Sequence, residues 1–251
     1  MDKTSQKLAD LFKEISLKGW IEGVGKSWGN IGLTFEHEIG KLPDSEYKPD
    51  FGDIEIKCST RYSRYPVFLF TLAFDSNENE VIRLAEEYGH YDSDFKDKKV
   101  IFKQVTNAII AGNKYNFFFD IDRNQERIYL AVYSNDGELL EREAYITFAS
   151  LKKHFDTKLK KVAYINASMK MANNKKYYRY YLLNLYKTKD FETFLSLIKK
   201  NILTISIVSR ISKSGEDKGR YRNKNVEFAI SKDNLSKLFD CYYEYNHDSL
   251  Y

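Results

Sequence analysis

The segment Pro49-Asp50-Phe51-Gly52-Asp53-Ile54-Glu55-Ile56-Lys57-Cys58 constrains this chain more than any other stretch. From Asp53 it alternates with period two. Ile54, Ile56 and Cys58 therefore enter one face of a strand, while Glu55 and Lys57 project side by side from the other. An acid and an ammonium group held together by a buried apolar anchor form an arrangement suited to chemistry. Asp50, just before the strand, can bend its carboxylate toward Glu55. Two acidic groups with a backbone carbonyl and waters suit a hard octahedral cation such as Mg²⁺. A third carboxylate is offered by Glu36 on LTFEHEIGK, a short helix in which Phe35 and Ile39 are spaced to bury. Glu38 competes for that role, and Asp53 reads as a turn residue.

Charge is the second signal. The formal net charge of +4 conceals an asymmetry. From Lys158 to Lys224 there are 17 Lys and Arg against four acids, which leaves 23 basic and 32 acidic residues elsewhere. A concentrated basic region beside an acidic remainder fits a polyanion-binding face with a cation site elsewhere in the chain. Arg210, Lys213, Lys218, Arg220, Arg222 and Lys224 cluster in a loop or hairpin between two strands, where Arg and Lys can reach base edges or neutralise phosphates. With a polyanion as substrate, Lys57 is placed to orient a water or to stabilise charge building on a scissile phosphate. Tyr177, Tyr178, Tyr180 and Tyr181 read mostly as packing residues.

The remaining pattern predicts an α/β or α+β domain with a central sheet. Helices are expected from Thr4 to Lys18, over NEVIRLAEEYG, over FASLKKHFDTKL, from Asp190 to Lys200, and after Ser231 as cap. Strands are expected at VFLFTLAF, suited to cover on both faces, and at KVIFKQVT, YNFFFDID, RIYLAVY, VAYINASM, LTISIVS and VEFAI, with Asn135-Asp136-Gly137 as a hairpin turn. At 251 residues the chain is long enough to bury a sizeable core without disulfide or metal staples.

Several classes are excluded. The longest apolar run is far short of the ~20 residues of a membrane span, and the N-terminus lacks an apolar signal core, so no membrane partner and a cytoplasmic setting are expected. Two cysteines and four scattered histidines make neither a disulfide framework nor a zinc site. GVGKS at 23–27 lacks the Gly required five residues before its Gly-Lys pair, and a helix precedes it where a buried strand is needed, so no ATP site is expected. Lys26 and Ser27 can still meet DNA phosphates through backbone amides.

These residues resemble the MvaI/BcnI-type restriction endonucleases, in the MutH-like branch of the PD-(D/E)xK nuclease superfamily. The likeness runs from KGW at 18–20, through LTFEHEIG with its F-E-x-x-I-G pattern, to PDFGDIEIKC. It continues more loosely through KKYYRYYLLNL at 175–185 and SGEDKGRYRNKNVEFAISKDNL. The resemblance implies a PD-(D/E)xK restriction-endonuclease-like fold, with a central mixed sheet flanked by helices and a C-terminal DNA-recognition lobe. The lobes are expected at 1–165 (catalytic) and 166–251 (basic, DNA-recognising). It implies Asp50, Glu55 and Lys57 as catalytic residues with Glu36 as the additional helix acid, Asp50 and Glu55 as metal ligands, and Mg²⁺ as cofactor with Mn²⁺ as a substitute. The activity implied is that of a type II restriction endonuclease. Such an enzyme cleaves double-stranded DNA at a short site to leave 5′-phosphate ends, and acts as a bacterial or archaeal monomer. A companion DNA methyltransferase is expected in the cell but not as a bound subunit. Alternatives are a MutH-like mismatch-repair nickase and a catalytically silent DNA-binding protein. Where MvaI-like sequences carry a histidine-containing run, this chain has Arg222-Asn223-Lys224-Asn225, so their CCWGG target is not carried over.

Overall fold

A computed structural model describes residues 1–25, 30–41 and 48–250. The chain opens with α1 (Lys3–Leu17), β1 (Ile21–Glu22), α2 (Asn30–Glu38), β2 (Ile54–Thr60), β3 (Val67–Leu72) and α3 (Glu80–Tyr88). There follow β4 (His90–Tyr91), β5 (Lys99–Val100), β6 (Phe102–Val105), β7 (Tyr115–Asp122), β8 (Arg127–Ser134), β9 (Leu139–Glu141) and β10 (Tyr145–Thr147). Then come α4 (Phe148–Lys158), β11 (Lys161–Ala172), β12 (Lys175–Thr188), α5 (Phe191–Lys199), β13 (Leu203–Ile211), β14 (Tyr221–Ile230), α6 (Leu235–Leu238) and β15 (Phe239–Asn246). No helix among the described residues is long and apolar enough to cross a membrane.

Two compact units share the chain, each assembled from separated stretches. One comprises Met1–Val67, Phe155–Asp190 and Leu235–Tyr251, and the other comprises Phe68–His154 and Phe191–Asn234. This differs from the expected lobes 1–165 and 166–251. A boundary at 165 would cut β11, where Ile165 is the register partner of Cys58 on one side and of Leu183 on the other. Paired strand interiors do not separate, so the division follows the ladders and not the sequence order.

In the first unit β12 is the spine of a mixed sheet. It pairs antiparallel with β11 along one edge, and with β1 and then β15 along the other. Beyond β11 lies β2, paired parallel to it, with Ile54 opposite Lys161 and Thr60 opposite Ala167. Helix α1 starts at an Asp2 cap whose carboxylate accepts the Ser5 N–H at 3.0 Å. Leu8, Phe12 and Ile15 of α1 and Phe35 of α2 pack in one core with Ile54, Ile56, Ala163, Ile165, Tyr178 and Tyr180. Tyr180 is fully buried yet satisfied, its hydroxyl donating to the Ile31 carbonyl at 2.6 Å and its ring meeting Phe35 edge-on. The tyrosines of KKYYRYY are thus largely core residues, because β12 is covered along its length.

The second unit holds a sheet of order β3-β14-β13-β6, another of β10-β8-β7 with β9 on β8, and the β4-β5 pair. Several sheets therefore stand where one was read. Strand β3 lies at a sheet edge and leaves Phe68 43% exposed, so its apolar run is not covered on both faces. KVIFKQVT is broken at Ile101, whose N–H donates to Ser209 Oγ and whose carbonyl accepts the Ser209 N–H. Strand β15 has no counterpart in the sequence reading. Its FDCYYEYN pattern carries charged residues on a mostly exposed segment, and the ladder to β12 supplies what periodicity lacks.

The tight turn before β2 sets where Asp50 stands relative to Glu55. Phe51 and Ile54 exchange N–H···O=C bonds of 2.9 and 3.0 Å across Gly52-Asp53. Gly52 takes φ +63°, the left-handed value required at the first central position of such a two-residue turn. A Cβ there would also lie 2.8 Å from the Thr4 methyl group. Gly52→Ala is expected to lower stability by about 1–2 kcal/mol in chemical denaturation, the cost of a non-glycine residue in that conformation. Unchanged stability would show that the turn relaxes to another form.

Candidate active site

Strand β2 brings the expected charges together. Glu55 and Lys57 share the face turned away from the isoleucine core, and the Lys57 ammonium lies 2.8 Å from Glu55 Oε1. In the parallel ladder Val162 stands beside Glu55 and Tyr164 beside Lys57, and both are buried. This apolar flank leaves the Glu55 side chain only 7% exposed. Asp50 is tied to the same strand, its Oδ2 accepting the Ile56 N–H at 2.9 Å.

Two lysines absent from the sequence reading complete the arrangement. Lys41 donates to Asp50 Oδ1 at 2.5 Å, and Lys158 at the end of α4 donates to Glu55 Oε2 at 3.3 Å. All four carboxylate oxygens of Asp50 and Glu55 thus face N–H donors. Lys158 stands 103 residues from Glu55 in sequence, so no local spacing announces it. Asp53, read as a turn residue, sits in the turn and pairs with Lys161 at 2.7 Å.

The donor set fits a hard divalent cation. Such an ion is commonly held by one or two carboxylates and completes its shell with water, and the ammonium contacts show that the Asp50 and Glu55 oxygens already stand where positive charge is stabilised. Among the described residues no group of three or more His, Cys, Asp or Glu is arranged around a common point. Glu36, half-buried on α2, therefore does not join Asp50 and Glu55 in a three-carboxylate cluster. It lies within electrostatic reach of the Cys58 thiol, which burial first and then the Glu36 and Asp50 carboxylates push up from its ordinary range. Both cysteines are free thiols.

The basic residues of the C-terminal region lie in the second unit, on the hairpin of β13 and β14. This hairpin is longer than the loop read from sequence, because both strands extend into the basic stretch. Arg210 and Arg222 are direct cross-strand partners, both exposed, and neither has an ion pair among the described residues. Lys218 at the tip is likewise exposed and unpaired among them. The others are engaged: Lys213 with Asp94 at 2.5 Å, Arg220 with Asp217 at 3.0 Å, and Lys224 with Asn79 Oδ1 at 3.1 Å. The ladder shifts register between Val208 and Arg210. Lys26 and Ser27 lie outside the described residues.

Comparison with known proteins supplies the remaining context. The model of the MvaI/BcnI restriction endonuclease family matches residues 9–239. The solved complex of restriction endonuclease MvaI with its cognate DNA substrate is similar to this chain, with a TM-score of 0.87 and 27% identity over 96% of this chain and 98% of that one. MvaI in the absence of DNA gives a TM-score of 0.60 at 24% identity, over 96% and 97%, a likeness of fold. No curated protein sequence matches. The mixed sheet with helices packed on it is accordingly a PD-(D/E)xK-like fold. With a family match across most of its length and the Asp50, Glu55 and Lys57 constellation assembled at one turn and strand, the chain belongs to the MvaI/BcnI restriction endonuclease family and is a type II restriction endonuclease, a site-specific deoxyribonuclease.

Proposed function

We propose that this enzyme hydrolyses phosphodiester bonds in double-stranded DNA at a short sequence, leaving 5′-phosphate ends, with Mg²⁺ held by Asp50 and Glu55. The observation that carries the reading is the Lys57 ammonium 2.8 Å from Glu55 Oε1, on a strand whose backbone also holds Asp50. Restriction endonucleases are in general divalent-metal dependent, and Mn²⁺ is the expected substitute. When bound, the ion supplies positive charge for an oxyanion and acidifies a water.

The protein's own groups do the rest. Asp50 is fixed by the Ile56 N–H, so one carboxylate oxygen is aimed by the backbone while the other is available for exchange with Lys41. Lys57, anchored by Ile56 and Cys58 on the opposite face, orients the attacking water and stabilises charge growing on the phosphate. Glu36 supports the site from α2. Double-stranded DNA as partner is supported by the likeness to the MvaI complex, and the Arg210, Lys218 and Arg222 groups are available to it without breaking an ion pair. Lys213 and Lys224 hold the hairpin to Asp94 and Asn79, Arg220 braces its own tip through Asp217, and all three add phosphate contacts. Family likeness supports action as a monomer, beside a separate methyltransferase.

Two measurements test this reading. Asp50→Ala and Lys57→Ala are each expected to reduce plasmid cleavage by roughly 10²–10³-fold or more, the scale for losing one preorganised charge-stabilising group, while binding to DNA without metal is retained. Cleavage at the native rate in either variant would refute the assignment, and products that stop at nicked circles would favour the repair-nickase alternative. Arg222→Gln is expected to cost about 1–3 kcal/mol of discrimination between bases. In the same variant, removal of the like charge across from Arg210 is expected to leave stability unchanged or raise it by about 0.2–1 kcal/mol. Sequencing of fragment ends and thermal melting report the two effects separately.

A further inference from the structure

Lys158 closes α4 and reaches two segments that flank the candidate metal site. Its ammonium donates to the Lys48 carbonyl at 2.6 Å and to Glu55 Oε2 at 3.3 Å. Lys48 directly precedes Pro49-Asp50, and Glu55 is on β2, so one cation bonds both the segment that leads to Asp50 and the strand that carries Glu55. The residue before a proline is biased toward extended conformations, which narrows the directions open to the Lys48 carbonyl. The Lys158 side chain is only 16% exposed and the Glu55 side chain 7%, so water competes little for the bond between them.

We propose that Lys158 is a positioning residue that staples the Asp50 segment to the Glu55 strand and so sets the gap across which the two carboxylates hold a divalent cation. This rests on the assignment of Asp50 and Glu55 as the cation-holding pair. The division of labour on Glu55 follows from its two oxygens. Lys57 bonds Oε1 from the same strand, so its contact does not tie β2 to any other segment. Lys158 bonds Oε2 from a different element, the end of α4, and so links separate parts of the chain. Lys41 bonds Asp50 itself, from a position nine residues earlier in the same stretch of chain. An ammonium has three donors, and the two bonds described here meet acceptors on separate segments.

The test uses Ca²⁺ as a probe, titrated by calorimetry into the full-length enzyme bound to duplex DNA, alongside the Mg²⁺ dependence of cleavage and melting without metal. Lys158→Met is expected to weaken Ca²⁺ binding by about tenfold or more, the scale seen when a group that orients a metal ligand is lost. Half-maximal cleavage should require a correspondingly higher Mg²⁺ concentration, while DNA affinity without metal stays unchanged. Lys158→Arg, which keeps a cation with several donors, is expected to recover most of the Ca²⁺ affinity, and it carries the comparison if the Met variant fails to fold. Native Ca²⁺ affinity in Lys158→Met would overturn the staple, as would a Lys158→Arg enzyme that melts like the native protein yet shows the full loss. Asp50→Ala separates the two layers. If it too binds Ca²⁺ like the native enzyme, the carboxylate assignment falls and the staple with it, whereas loss in Asp50→Ala with native binding in Lys158→Met overturns the staple alone.

Discussion

Burial of Ile54 and Ile56 against Leu8, Phe12 and Phe35 holds β2 in place, and the chemistry of the opposite face depends on it. Among the described residues strand β2 has a single ladder, to β11, and an edge strand paired on one side is free to slip unless one face fixes it. A slip of one residue would drive Glu55 and Lys57 among those apolar side chains and expose both isoleucines. Burying the two isoleucines contributes about 3–6 kcal/mol, whereas a nearly buried acid-lysine pair roughly breaks even against its own desolvation. The apolar face therefore decides the register, and the charged face is carried along with it. Once there, Glu55 requires partners for both oxygens, since an unpaired carboxylate at that depth would be destabilising, and Lys57 and Lys158 meet the requirement.

What was legible in the sequence follows the range of the forces involved. Helix α1 and strand β2 were readable because their periodicities, together with the Gly52 turn, are local properties. The union of Asp50, Glu55 and Lys57 was readable for the same reason, all three lying within eight residues. Lys158 was not, because its contact with Glu55 spans 103 positions and arises only when β11 runs parallel to β2. Strand β15 is hidden for a related reason, since its ladder with β12 joins residues 51 to 64 positions apart and its own segment is mostly exposed. The two units are not consecutive in sequence: Phe68–His154 lies between β2 and β11, and Phe191–Asn234 between β12 and β15. A parallel pair such as β2–β11 needs a crossover connection, and part of the second unit occupies it.

The hairpin obeys a different logic from the catalytic turn. Arg210 opposite Arg222 is a pairing that stability alone disfavours, while Asp94 and Asp217 pair with Lys213 and Arg220. A like-charged pair left without counter-ions on an exposed ladder is explained when a polyanion supplies the missing charge. The neighbouring engaged lysines then have a structural part, keeping the hairpin attached to Asp94 and Asn79 while the unpaired arginines stay available.

Membership of the family carries the reaction further than it carries the target. At the turn and strand proposed for catalysis, the glycine at φ +63° and the acid-lysine spacing would both serve one chemical task, so little could vary there without loss. At residues 222–225 the side chains differ from the histidine-containing run of MvaI-like enzymes, and this stretch lies where the β13–β14 ladder shifts register. A register irregularity re-aims the side chains beside it, so substitution and geometry act together on the groups that would meet base edges. Guanidinium and ammonium groups are donors only, whereas a neutral imidazole both donates and accepts. Arg222 and Lys224 favour acceptor-rich edges such as guanine N7 and O6, and the sequence cut by this enzyme is expected to depart from that of its relatives at the base pairs these residues reach.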